Sequence, residues 1–117
     1  MRKVLVVTEA KAGNLRGVSL ESLAAAQRIA EGGEIIAVAF GSSAAYYANV
    51  LGKHGANKVY IVGNEELDVY TTDAYSQSLR QVIDEVEPDA LLMPHTAIGK
   101  DLAPRIAARL ELGLVSD

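Results

Sequence analysis

The chain has 117 residues, half of them hydrophobic and 22% charged, with a net charge of −4, which suits one soluble globular domain around a single core of modest size. The acidic balance leaves no basic stripe to neutralise phosphates, so a nucleic-acid partner is excluded. The absence of cysteine excludes a disulfide framework, a thiolate metal site, an iron–sulfur cluster and a cysteine nucleophile in this chain. Met1-Arg2-Lys3 leads straight into a strand, without the apolar stretch and small-residue cleavage site of a signal peptide. No apolar run approaches the roughly 20 residues that cross a bilayer. The expected location is therefore cytoplasmic, with no direct membrane insertion.

In chain order, Lys3 to Thr8 carries the continuous Val/Leu content of a buried strand. A loop from Glu9 through Gly13, Asn14 and Gly17 follows. Ser19 is the expected N-cap of a first helix, with Glu21 in its first turn. Leu20, Leu23, Ala26 and Ala30 turn inward, and the helix runs to about Glu31 before Gly32-Gly33 ends it. Glu34 to Phe40 is the second strand. Ser42 or Ser43 caps a second helix whose Ala44, Tyr47, Ala48 and Leu51 fall on one face, closed by Gly55.

Lys58 to Val62 is the third strand, and Gly63 to Thr71 a loop. Thr72 or Asp73 is expected to cap a third helix, in which Tyr75, Leu79, Val82, Ile83 and Val86 form the cleanest apolar stripe, stopped by Pro88. Ala90 to Met93 is the fourth strand. After a tight loop from Pro94 to Ile98, a fourth helix opens near Gly99 to Asp101 with Leu102, Ile106 and Leu110 on one face. Pro104 then falls in its first turn, where an amide N–H has no partner to lose. Gly113 ends that helix, and Leu114-Val115 begins a fifth strand.

Four alternating strand–helix units with buried strands define an α/β class: a Rossmann-like three-layer α/β/α fold with a doubly wound parallel sheet. Right-handed crossovers favour the order 3-2-1-4-5, the arrangement of adenine nucleotide alpha hydrolase-like folds. Residues 1–117 read as a single domain, with no repeat, low-complexity tract or linker.

Ligands of such sheets sit beyond the carboxyl ends of the strands where the order reverses, here between strands one and four. The facing loops are Thr8 to Gly17 and His95 to Asp101. The second leads into a helix N-terminus, so Thr96, Gly99, Lys100 and Asp101 are a candidate weak anion site. The alternative is that Thr96 and Asp101 cap the helix, Gly99 permits the turn and Lys100 is solvated. Asp101 and Arg105, four apart, suit a surface ion pair. The first loop lacks both G-x-G-x-x-G and G-x-x-x-x-G-K-[ST], and suits contact with another domain or subunit.

His54, beside Gly55, is placed to bond the last carbonyls of its helix. His95 stands alone, which is a poor metal constellation, and no serine occupies a G-x-S-x-G elbow. Glu85, Glu87 and Asp89 read as a solvated surface. Core packing accounts for at least three of the five tyrosines, Tyr47, Tyr60 and Tyr75 among them. No catalytic constellation emerges, and neither an enzyme nor a metal site is expected.

Residues 88–117, PDALLMPHTAIGKDLAPRIAARLELGLVSD, resemble the stretch of electron transfer flavoprotein alpha subunits in which a P-D-x-[LV]-L strand precedes T-x-x-G-[KR]-D-L-A-P-R-[LI]-A-A-[RK]-L and G-L-[VTS]-[ST]-D. Thr96, Gly99, Lys100, Asp101, Leu102, Ala103, Pro104, Arg105, Ala107, Ala108, Leu110, Gly113, Leu114 and Asp117 match. Ser19, Glu21 and Ala24-Ala25-Ala26 are similar to the family's first helix, and Gly55 to Tyr60 to its G-A-[DN]-K-V-Y segment. The resemblance implies the N-terminal domain of one subunit of a heterodimer, docking to a beta subunit and passing electrons from flavin dehydrogenases to a quinone reductase or other acceptor. It implies FAD in a C-terminal domain that this chain lacks, so no flavin ligand is expected here. The alternative is an adenine-nucleotide-binding module of the universal-stress type. An unpaired edge at the fifth strand also suggests self-association.

Overall fold

The computed structural model describes residues 2–107 and 113–116, with side chains over 2–106. In chain order the elements are β1 (Lys3–Val7), β2 (Ala10–Lys11), β3 (Asn14–Leu15), α1 (Gly17–Ala30), β4 (Glu34–Phe40), α2 (Ala44–Lys53), β5 (Lys58–Val62), a 3₁₀ turn (Glu65–Asp68), α3 (Thr72–Val86), β6 (Ala90–Met93), α4 (Ala97–Ala107) and β7 (Gly113–Ser116). Five strands form one sheet in the order β5-β4-β1-β6-β7, and every ladder in it is parallel. β2 and β3 make a separate antiparallel ribbon, so the α/β Rossmann-like fold has both parallel and antiparallel pairing.

The apolar runs of β1, β4 and β6 are buried on both faces, and side-chain alternation divides them between two cores. Val4, Val6, Ile35, Ala37 and Leu92 meet Leu23, Ala26 and Ala30 of α1 and Tyr47 and Leu51 of α2. Leu5, Val7, Ile36, Val38, Leu91 and Met93 meet Leu79, Val82, Ile83 and Val86 of α3 and Leu102 and Ile106 of α4. The sheet is thus the middle of three layers. Tyr47 is buried and Tyr60, Tyr70 and Tyr75 pack against the second core's edge or interior, while Tyr46 is 82% exposed.

Several helix starts differ from the sequence expectation, each because a hydroxyl has a tertiary partner. α1 begins at Gly17 with Arg16 in the cap position. Ser19 lies inside it, its hydroxyl accepting from the Glu9 N–H at 2.8 Å and donating to the Glu9 carbonyl at 3.1 Å. The loop expected from Glu9 to Gly17 folds into the β2–β3 ribbon, turned by Ala12 and Gly13 at φ 52° and 79°, the left-handed pair that a two-residue hairpin needs. α3 is preceded by Thr71, not capped by Thr72 or Asp73, because the Thr72 hydroxyl donates to Asp101 at 2.5 Å.

α4 opens at Ala97, two residues before Gly99, which puts Pro104 in the helix interior and not in the first turn. The Lys100 carbonyl therefore lacks its usual donor. Gly113 opens β7, and the end of α4 falls outside the described residues. Ala108, Leu110 and Asp117 of the sequence motif lie outside the described residues. His54 does serve the end of α2, with Nδ1 2.9 Å from the Val50 carbonyl.

Candidate functional site

A cavity of about 210 Å³ opens beyond the carboxyl ends of β1 and β4. Thr8, Glu9, Ala12 and Gly13 line it from the loop after β1, with Ser42 and Ser43 from the start of α2. Leu67 and Asp68 come from the 3₁₀ turn, and Phe40, Tyr47 and Tyr75 supply aromatic walls. From the first turn of α4, Ile98 reaches it. The cleft thus lies toward β4, whereas the sequence placed it between β1 and the fourth strand.

Glu9 is the pivotal residue that the sequence did not single out. Its side chain is 4% exposed and accepts from Arg16 Nη1 at 2.8 Å. Its other oxygen accepts from the Thr96 hydroxyl, and that same Thr96 oxygen accepts from the Gly99 N–H at 3.1 Å, capping α4. Gly99 is required by close approach: a Cβ there would lie 1.9 Å from the Pro94 carbonyl oxygen. The N-terminus of α4 is in this way provided with a carboxylate from the chain itself.

A second carboxylate lies just before α2. Asp68 accepts from the Ser42 N–H and from the Ser42 hydroxyl, each at 2.7 Å. The Ser42 hydroxyl first and its N–H second hold the Asp68 carboxyl below its ordinary pKa. Gly41 makes this possible with φ 104°, and a Cβ there would lie 2.7 Å from Asp68 Oδ1. Ser42 is therefore committed to Asp68, and Ser43, which precedes α2, makes no side-chain cap bond.

Of the four residues expected to hold an anion, Thr96 and Gly99 meet in the cap, while Asp101 and Lys100 do not join them. Asp101 accepts from the Tyr70 hydroxyl at 2.6 Å and from Thr72, clipping α4 to the start of α3. Those two hydroxyls, Thr72 first, hold its carboxyl below the ordinary value. The expected Asp101–Arg105 ion pair is not formed, because Asp101 is drawn to these hydroxyls. Lys100 and His95 are exposed.

The geometry bears on chemistry in a definite way. A helix N-terminus attracts phosphate through free N–H groups and its dipole, and at both helix ends nearest this cleft a carboxylate of the chain stands close by, Glu9 on the Thr96 hydroxyl and Asp68 on Ser42. No cluster of His, Asp or Glu fit to hold a metal occurs among the described residues. Glu9 had one sequence signal: polar residues directly after a central buried strand fall at the ligand-facing end of the sheet. Asp68, distant in sequence and in a loop of acidic residues, had none.

What these observations define is a Rossmann-like domain whose cleft, at the carboxyl ends of β1 and β4, is braced by its own carboxylates. The sequence profile of the electron transfer flavoprotein domain matches residues 4–117, and the chain belongs to the electron transfer flavoprotein family. It is 44% identical over 116 residues to the electron transfer flavoprotein subunit alpha of Bacillus subtilis strain 168, covering 99% of this chain and 36% of that protein. It is 38% identical over 112 residues to the subunit alpha of Syntrophomonas wolfei, covering 96% and 35%. The chain thus spans about a third of these relatives' length and corresponds to the alpha subunit's N-terminal domain. Among solved structures, a universal stress protein in complex with cAMP shares the fold at a TM-score of 0.63 and 20% identity, covering 99% of this chain and 95% of that one.

Proposed function

We propose that this chain is the scaffolding and docking domain of an electron transfer flavoprotein alpha subunit. In the whole protein it packs on a beta subunit, and FAD is held in a C-terminal domain outside this chain. The heterodimer carries electrons from flavin dehydrogenases to a quinone reductase or another acceptor, in the cytoplasm. The domain itself is not an enzyme. The observation that carries this reading is the 44% identity to an alpha subunit across 99% of the chain. The carboxylates of Glu9 and Asp68 beside the cleft agree with it, since their negative charge opposes phosphate. We further assign the sheet, with strand order 3-2-1-4-5, to the adenine nucleotide alpha hydrolase-like group; the parallel ladders support this.

The second reading, an adenine-nucleotide module of the universal-stress type, is favoured by the cleft's position at the ends of β1 and β4. One experiment separates the two. The tagged chain is co-expressed with the beta subunit of the same organism, and the purified chain is titrated with AMP under amide NMR. The docking reading expects an equimolar complex on size exclusion and no saturable AMP shifts at residues 8–13 and 41–44. No complex, together with saturable AMP shifts at those residues, overturns it.

A further inference from the structure

A second feature lies on the other side of the sheet, in the groove between α3 and α4. This groove, of about 210 Å³, is lined by Asp73, Ser76, Gln77 and Arg80 of α3 and Arg105 of α4. Ser76 is 9% exposed, and its hydroxyl is buried without a partner. That hydroxyl has almost no accessible surface, so the polar reach of the groove comes from its arginines.

The two arginines reinforce the point. Arg80 Nε donates to the Ser76 carbonyl at 3.3 Å, which ties its guanidinium to the groove. Neither Arg80 nor Arg105 forms an ion pair among the described residues, in a chain whose net charge is −4. The natural partner of Arg105 is Asp101, one turn earlier, and that carboxylate is bound instead by Tyr70 and Thr72. Asp73 lines the same groove yet pairs with neither arginine. Two guanidinium groups without an ion-pair partner among the described residues make a donor set matched to a tetrahedral oxyanion, because each presents parallel N–H bonds in a planar fork.

We propose that the α3–α4 groove binds a phosphate group, held by Arg80 and Arg105. The site is independent of the docking reading and of the cleft at β1 and β4. Asp73 at its rim opposes the anion and keeps the affinity low. The phosphate group has two possible sources, free inorganic phosphate or the phosphoryl group of a nucleotide.

The test follows arginine Nε–H and backbone amide signals of the full chain during titration with inorganic phosphate, at ionic strength held constant with sodium chloride. Saturable shifts are expected at Arg80, Arg105, Ser76 and Gln77. Arg80→Gln and Arg105→Gln should each weaken binding by roughly fivefold or more, from the loss of a charge-assisted pair. Unchanged spectra elsewhere would show both variants folded. Shifts that never saturate, or affinities unaltered in both variants, overturn the proposal. AMP then distinguishes the sources: roughly tenfold tighter binding at these same residues assigns the phosphoryl group of a nucleotide, and equal affinity assigns free phosphate. AMP that leaves the groove signals unmoved likewise assigns free phosphate.

Discussion

Two serines three positions apart on α1 show how a single hydroxyl acquires opposite energetic signs. Ser19 and Ser22 are both fully buried. Ser19 fastens the strand-to-ribbon corner by bonding both the N–H and the carbonyl of Glu9, while the Ser22 hydroxyl has no partner. Removing a satisfied hydroxyl leaves buried backbone groups unpaired, at about 1–3 kcal/mol, whereas removing an orphan relieves a desolvation cost. Alanine is also the better helix former by a few tenths of a kcal/mol, roughly. Ser22→Ala is therefore expected to stabilise by about 1 kcal/mol, and Ser19→Ala to destabilise by about 1–2 kcal/mol. Urea unfolding of both variants measures this, and equal effects of the same sign would refute it.

At the scale of elements, the contact between α3 and α4 is where pH should act. Tyr70 donates to Asp101 at the head of α4, and Tyr75 donates to the Leu67 carbonyl. Burial first, and the Asp101 hydrogen bond second, push the Tyr70 hydroxyl up to about 12 from 10.0. Burial, then the charges of Asp68 and Glu9, push Tyr75 up to about 12 as well. A group whose folded pKa is raised stabilises the fold fully below its unfolded value, and that contribution is lost as pH rises toward the folded one. The urea midpoint is expected to fall between pH 10 and 12, and less steeply in the Tyr70→Phe, Tyr75→Phe double variant. Identical slopes would show that these hydroxyls do not govern alkaline stability. Asp68 and Asp101, with lowered pKa values, act oppositely: their contribution is present above the ordinary 3.8 and is lost as pH falls through their folded values.

The same elements show how far sequence could reach. The stripe Leu79, Val82, Ile83 and Val86 and the runs in β1, β4 and β6 were legible because burial imposes a periodicity on neighbouring residues. Chain direction and crossover handedness then gave the sheet its order without any long-range contact. The cleft was less legible. Its chemistry rests on pairs such as Glu9 with Thr96 and Ser42 with Asp68, 87 and 26 positions apart, and no local pattern reports a partner at that distance. Helix caps were misplaced for the same reason. Ser19 and Thr72 have the right chemistry for caps, but Glu9 and Asp101 claim their hydroxyls. The Ala12-Gly13 hairpin carried a readable cue, a glycine in a two-residue connection, between strands too short for alternation to register.

For the whole molecule, the decisive feature is that both cores share one sheet. Val4 and Val6 of β1 belong to one core and Leu5 and Val7 to the other, and β4 and β6 are divided likewise. Neither helical layer can leave without exposing residues of the strands that the other layer still covers. We therefore propose that residues 1–117 unfold as a single cooperative domain. Far-ultraviolet circular dichroism and tyrosine fluorescence should give coincident urea transitions, and separated midpoints would reveal two units. The sheet edge adds a dependence on concentration. β5 is a terminal strand of the sheet and leaves Ile61 47% exposed, with Tyr46 and Val50 exposed on α2; its Lys58 is engaged with Glu34 at 3.3 Å. An open edge with apolar neighbours pairs readily with another chain, so without a beta subunit a second copy is the expected occupant. Sedimentation velocity over a hundredfold concentration range, roughly, should show a rising average mass that Ile61→Lys reverses, since a charge on an edge strand opposes pairing. A sedimentation coefficient constant across the range would show that the edge does not pair with a second copy.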